Sequence, residues 1–268
     1  MIRPYFASAF LAAVVISVPV RAADRVLPAD PLGSPMWEYR ASSLLSGGPV
    51  IFDDRIKLVL PVIAEDQHVV PVSVDARALG DVKRILIIAD LNPIPVAIDY
   101  RPLRAEPFVE TRIKLDQRTP VRAAVQLADG SWHVAAEWID AAGGGCSAPP
   151  VSRARGDWAD HLGEMRGGAW AAGKDETRLR ISIRHPMDTG LVENIPAYNV
   201  ERLTVAGPEG ETLADMTVYG AVAEDPAFTL LVKGRAPVWR VDARDTNGLE
   251  FSGSIKPMAE PKPALAAL

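Results

Sequence analysis

The sequence has one cysteine, Cys146, preceded by Gly143-Gly144-Gly145 and followed by Ser147-Ala148-Pro149-Pro150. A thiol does chemistry as its thiolate, which attacks electrophiles and exchanges with other sulfur atoms. Three glycines remove side-chain bulk and let the backbone bend widely, and Ser-Ala-Pro-Pro is loop composition. No apolar periodicity places Cys146 on a core face. The expectation is a thiol presented from a loop, a handle for partners, since a catalytic nucleophile needs a rigid setting. The bland alternatives are a small buried hydrophobe and a linker whose cysteine is incidental. A single cysteine excludes an internal disulfide and any multi-cysteine zinc or iron–sulfur site.

A cysteine hydrolase needs a histidine base and a group that orients it. The four histidines, His68, His133, His161 and His185, form no nucleophile–base signature and make a poor metal set. There is no P-loop, dinucleotide fingerprint or HExxH motif. His185-Pro186-Met187-Asp188-Thr189-Gly190 reads as a strand end and turn, and Asn92-Pro93-Ile94-Pro95 as an extended loop. On these grounds the expected protein is not an enzyme and has no catalytic residues.

The elements that hold these residues follow from composition and pattern. With 48% hydrophobic and 24% charged residues, the 268-residue chain can bury a core, as one large domain or two smaller ones. A net charge of −5 argues against nucleic-acid binding. Twenty-three prolines and 20 glycines disfavour a mainly helical fold. Arg3, the apolar run Phe6 to Val18 and Val20-Arg21-Ala22 form the three-part layout of an export signal, with cleavage expected after Ala22. That run is shorter than the ~20 residues that span a bilayer. The mature chain would hold 27 basic and 34 acidic residues and act in the periplasm.

Asp24 to Tyr39 reads as a surface segment. Short β-branched runs bounded by Pro, Gly or Asp then predict strands at Ile56–Leu60, Val69–Val74, Val82–Ile88, Val109–Leu115, Val121–Leu127 and Trp132–Ile139. Asp129-Gly130 marks a hairpin, and Trp132, Val134, Ala136 and Trp138 share one face. Ala141 to Arg155 breaks the pattern as a domain boundary. Asp157 is placed to cap a short helix with Trp158, Leu162 and Met165 on one stripe. A second set of strands follows at Arg178–Arg184, Val200–Val205, Leu213–Tyr219, Phe228–Val232, Val238–Arg244 and Leu249–Ile255, with Asn247-Gly248 as a hairpin turn. The fold class is all-β: two immunoglobulin-like β-sandwiches in tandem, joined by a glycine-rich, cysteine-bearing linker.

The first block, through Leu60-Pro61-Val62-Ile63-Ala64-Glu65, Val70-Pro71-Val72, Asn92-Pro93-Ile94-Pro95 and Thr111-Arg112-Ile113, resembles SoxY of the bacterial sulfur-oxidation (Sox) system. Gly144-Gly145-Cys146 stands where that family has its Gly-Gly-Cys-Gly-Gly arm. The second block, through Ile183-Arg184-His185-Pro186-Met187-Asp188-Thr189-Gly190, Ile195-Pro196-Ala197 and the Tyr219 to Phe228 segment, resembles SoxZ. The order is similar to SoxYZ-like fusions associated with quinoprotein dehydrogenases. The divisions implied are a signal (1–22), a SoxY-like sandwich (37–147), a linker with a short helix (148–173), a SoxZ-like sandwich (174–258) and a mobile tail (259–268).

The resemblance implies halves that pack together, no cofactor, Cys146 as a covalent attachment point for sulfur intermediates, and Gly143, Gly144 and Gly145 as a flexible arm. It implies partner enzymes of periplasmic sulfur oxidation, or a quinoprotein dehydrogenase, and a structural role for the SoxZ-like half. Two features depart from the family. Ser147-Ala148-Pro149-Pro150 replaces the trailing glycines, and the arm is internal, so Asp140 to Ser152 reaches out only about 20 Å at ~3.3 Å per residue.

Overall fold

The computed structural model describes residues 26–154 and 156–259, and the predicted export signal lies outside them. Helix α1 (Trp37–Leu44) precedes eight strands: β1 (Val50–Phe52), β2 (Lys57–Val59), β3 (Val70–Asp75), β4 (Val82–Ala89), β5 (Val96–Arg101), β6 (Ala105–Ile113), β7 (Thr119–Leu127) and β8 (Trp132–Ile139). After the one-turn helix α2 (Val151–Ala154) come β9 (Met165–Ala171), β10 (Glu176–Ile183), β11 (Val200–Ala206), β12 (Thr212–Val218), β13 (Ala227–Lys233), β14 (Trp239–Asp245) and β15 (Glu250–Ile255).

Both sheets run through both halves. One has the order β1-β8-β7-β4-β5-β12-β11-β14-β15 and the other β2-β3-β6-β13-β10-β9. The halves therefore meet edge to edge twice. Strand β5 pairs antiparallel with β12, with Ile98 opposite Val218 and Tyr100 opposite Met216. In the second sheet β6 pairs antiparallel with β13, with Val109 opposite Leu230. Alternation then turns Val109, Ile113, Ile181, Leu203, Phe228 and Val241 into one apolar core shared by the halves. The fully buried Tyr100 satisfies its hydroxyl on Glu106 O at 3.0 Å. In β14, Trp239, Val241 and Ala243 point inward and Arg240 and Arg244 outward, as the period of two requires.

A second, smaller core explains the aromatic face of β8. Trp132 and Val134 lie on the outer side of the nine-stranded sheet, under Trp37, Ala41 and Leu45 of the α1 region. The buried guanidinium of Arg122 fixes this layer, bonding Asp90 (2.9 Å) and Asp30 (2.7 Å) and lying 4.4 Å from the Trp37 ring centre. The segment read from sequence as a surface stretch thus contributes a helix and a buried tryptophan.

The linker expectation needs correction. Asp157 to Gly163 forms successive turns closed by i→i−3 bonds, such as His161 N to Trp158 O at 3.3 Å, between the left-handed Gly156 (φ +75°) and Gly163 (φ +78°). Met165 opens β9, paired with Ile183 of β10, so the second half starts inside the expected 148–173 linker. The short helix is α2 instead, and Trp158 packs under Arg153, 4.6 Å from the guanidinium. At the end of the second half Met258 N donates to Ala169 O at 2.8 Å, and residues 260–268 of the expected tail lie outside the described residues.

Splitting the chain would expose four strand edges and part of the common core. Residues 23–148 and 164–268, expressed separately so that β9 stays with its half, should each melt well below the intact chain or aggregate. Calorimetry with sedimentation tests this. Two monomers each as stable as the full chain would contradict the shared-core account.

Candidate functional site at the seam of the two halves

Strand β8 delivers the chain to the site. Asp140 is clamped against the Val62–Ala64 segment, with Ala64 N donating to Asp140 O at 2.7 Å. Residues 141–150 then lie as a strap across the end of β6. Gly145 N donates to Leu115 O (3.0 Å), and Ala148 N to Gly144 O (2.9 Å). Only glycine fits here, because a Cβ at position 145 would stand 2.4 Å from both Gln67 O and Leu115 O. Gly143 has φ +107°, and its Cβ would meet Asp116 O at 2.9 Å. The glycines that read as a flexible arm allow close docking in this conformation.

Cys146 is consequently buried, with 0% exposure. This corrects the expectation of a presented thiol: composition marked a loop, but the loop is packed down. Asp116 caps the strap with its carboxylate, accepting Cys146 N–H (3.1 Å), Ser147 N–H (3.2 Å) and the Ser147 hydroxyl (2.9 Å). The sulfur sits between the first half's two turns. Asn92 Nδ2 donates to Sγ at 3.7 Å and to Lys114 O at 2.7 Å, and the thiol faces Lys114 O at 3.8 Å. Asn92 Oδ1 accepts Asp116 N–H (3.0 Å), which ties the clamp together.

The second half grips the same strap. The hydroxyl of Thr189 donates to Cys146 O at 2.6 Å. Asp188, buried, pairs with Arg153 just beyond the strap (Nε–Oδ1 3.0 Å). Met187 (φ +52°) turns its carbonyl to the Lys114 ammonium, which also donates to Gly220 O at 3.2 Å. His185 anchors this turn by accepting Met187 N–H at 3.1 Å and packing at a tilt against Tyr198, 4.5 Å between ring centres. The His-Pro-Met-Asp-Thr-Gly run is therefore the half-to-half grip on the cysteine strap, which its reading as a strand end and turn did not include. Sequence alone singled out Asn92 without a role and placed Lys114 in a strand; it passed over Asp116.

Burial pushes the Cys146 thiol up to about 12; the Lys114 charge acts against this and Asp116 reinforces it. The folded value lies above the free value of 9.0, so ionisation opposes the closed strap. The thiol's contribution to closure is complete below pH 9 and is lost as pH rises toward 12. Beside the strap, a cleft of about 10 Å³ is bordered by His68, Lys114, Gly145, Asp188, Thr189 and Glu224. That space holds about one water, and the sulfur itself is fully buried, so a group carried on it needs movement of the strap.

Cys146 should react slowly with a small maleimide in the folded protein and much faster in denaturant. Thr189→Val removes the strap's hydrogen bond to the second half, about 1 kcal/mol. The expected result is roughly fivefold faster labelling with native far-UV dichroism. Equal rates for both proteins would remove Thr189 from the closure.

The family model described as sulfur oxidation protein SoxY matches residues 42–146, ending on Cys146, and that described as sulphur oxidation protein SoxZ matches residues 165–256. Among solved structures, the sulfur carrier protein SoxY from Chlorobium limicola f thiosulfatophilum is 21% identical. It aligns over 40% of this chain and 96% of its own, with a TM-score of 0.36. A β-glycosidase from Bacteroides vulgatus is 11% identical over 80% of this chain and 25% of its own, with a TM-score of 0.22. No curated protein sequence matches significantly. With the SoxY and SoxZ matches in tandem covering most of the chain, and both halves built into the same two sheets, the protein is a SoxY–SoxZ fusion of the sulfur-oxidation proteins.

Proposed function

We propose that this is a periplasmic, non-catalytic carrier that holds a sulfur-containing group covalently on Cys146 and presents it to partner enzymes. The observation that carries the reading is the position of Cys146. The sole thiol is the last residue of the SoxY match, on a strap held by both halves. In the working cycle the strap lifts about Gly143 and Gly144, both in left-handed backbone that glycine adopts without strain. The exposed thiolate attacks a sulfur–sulfur bond of a donor sulfur oxyanion, as in thiol–disulfide exchange. With tetrathionate, one S–S bond forms to Cys146, one S–S bond of the donor breaks, and thiosulfate leaves. A separate periplasmic redox or hydrolytic enzyme then processes the adduct, and closure shields the empty thiol.

The burial of Cys146 favours one second reading: an adaptor that docks on a periplasmic quinoprotein dehydrogenase, with no covalent cargo. Intact mass spectrometry of protein from its native compartment separates the two. The carrier reading expects several adduct masses on Cys146 that a reductant removes, and one thiosulfate-derived group per chain after tetrathionate. A single bare mass that tetrathionate leaves unchanged would favour the adaptor. Cys146→Ser should lower the melting temperature by only a few degrees, because Asn92 and Lys114 O can bond a hydroxyl. It should abolish partner-dependent sulfur oxidation, and full activity in that variant would end the carrier reading.

A further inference from the structure

We infer that the segment following Met258 lies across the outer face of the six-stranded sheet and fills an apolar groove on that face. The inference goes beyond the carrier reading and does not rest on it. The groove, of about 570 Å³, is lined by Val59, Leu60 and Pro61 at the β2 edge and by Glu110, Thr229 and Arg180 further in. Strand register places these positions on one row. Gly168 of β9 stands opposite Arg180, Arg180 opposite Thr229, and Thr229 opposite Glu110. Glu110 in turn stands opposite Ser73, and Ser73 opposite Val59. The next residues along the strands, Ala169, Ile181, Phe228, Val109 and Val72, belong to the shared core, so the row points outward.

The chain arrives at the head of this row on the outer side. Residues 256–258 run beside β9, with Ala169 N donating to Lys256 O at 3.1 Å and Met258 N to Ala169 O at 2.8 Å. The Met258 side chain then covers the outer face, since a Cβ added to Gly168 would stand 2.5 Å from Met258 Cγ. Beyond it the sequence reads Ala259-Glu260-Pro261-Lys262-Pro263-Ala264-Leu265. The two prolines favour extended backbone and lack the N–H that an added strand would need, which suits a sheet face and not a sheet edge. At ~3.1 Å per residue, residues 259–268 span about 30 Å. Val59 lies six strand spacings from the 256–258 segment, about 29 Å at ~4.8 Å each.

Charge follows the same order. Arg180 and Glu110 have no ion-pair partner among the described residues, and Arg112, also in the groove, already donates to Asp225 O at 3.0 Å. Along the row Arg180 comes before Glu110, and along the segment Glu260 comes before Lys262, so opposite charges meet in both places. Leu265 and Leu268 then fall at the apolar end, where Val59 is 62% exposed. Covering that end removes apolar surface beside the short edge strand β2, where a foreign chain could otherwise pair.

A nitroxide at position 266 of the full chain tests this, with Ala266→Cys labelled in a Cys146→Ser background. Should that background fail to fold, the native thiol stays, because its burial leaves position 266 to react first. Paramagnetic broadening is read at Val59, Leu60 and Thr229, and at Thr204 and Thr217 on the outer face of the other sheet. The expected result is strong broadening in the groove and little on the other face. Arg180→Glu should lower the seated fraction roughly threefold, as loss of an exposed ion pair allows, and adding Glu260→Arg should restore it. Equal broadening on both faces, or no response to Arg180→Glu, would overturn the proposal. Isotope-labelled chain without nitroxide, mixed with nitroxide-bearing chain, should show no broadening. Broadening of the groove in that mixture would seat the segment on a second copy and also overturn it. No step involves a loaded sulfur, so the outcome leaves the carrier reading to its own test.

Discussion

The double strand pairing across the seam, β5 with β12 and β6 with β13, is the constraint on which the rest of the molecule depends. It makes a single core from two similar sandwiches and leaves no free sheet edge between them. It also brings the end of β6, where Lys114 and Asp116 sit, against the Met187–Thr189 turn of the second half. The cysteine strap docks on Leu115, Asp116 and Asn92 of the first half, and the juncture adds the Thr189 bond from the second. Covalent fusion is compatible with this arrangement, since the connection from β8 to β9 passes over the seam itself.

Burial and reactivity pull in opposite directions at Cys146. A sealed thiol with a raised pKa is protected from oxidants, which suits a protein that would work outside the reducing cytoplasm. A carrier needs the same sulfur exposed and ionised. The contacts that close the strap are few and mostly hydrogen bonds at the end of a sandwich, each worth about 1 kcal/mol. Apolar packing across the strands dominates elsewhere. Local opening of the strap is therefore compatible with an intact core. With Cys146 at 0% exposure, loading the sulfur calls for movement of the strap.

Much of this was legible in the sequence. Period-two runs such as Trp239-Arg240-Val241-Asp242-Ala243 and the Asp129-Gly130 and Asn247-Gly248 turns placed most strands, because alternation and left-handed turn residues report locally. Strand β5 was missed because Val96–Arg101 is short and carries Asp99, whose charge is met by Arg84 on the neighbouring strand. Strand β9 was missed because Gly167 and Gly168 look like a stop signal, yet a Cβ at 167 would meet Arg180 O at 2.1 Å. The site was half legible. Cys146 and its glycines were conspicuous, but their burial depends on Leu115, Asn92 and Thr189, contacts distant in sequence that no local pattern encodes.

The central claim is that the strap closes over an empty thiol and opens when the thiol is loaded. Amide hydrogen exchange of the full chain, bare and after tetrathionate loading, tests it most directly. The account predicts that Gly145, Cys146 and Ala148 amides are protected in the bare protein and exchange much faster when loaded, while the β5–β12 and β6–β13 seam amides stay unchanged. Equal protection of the strap in both states, or loss of the seam together with the strap, would contradict it.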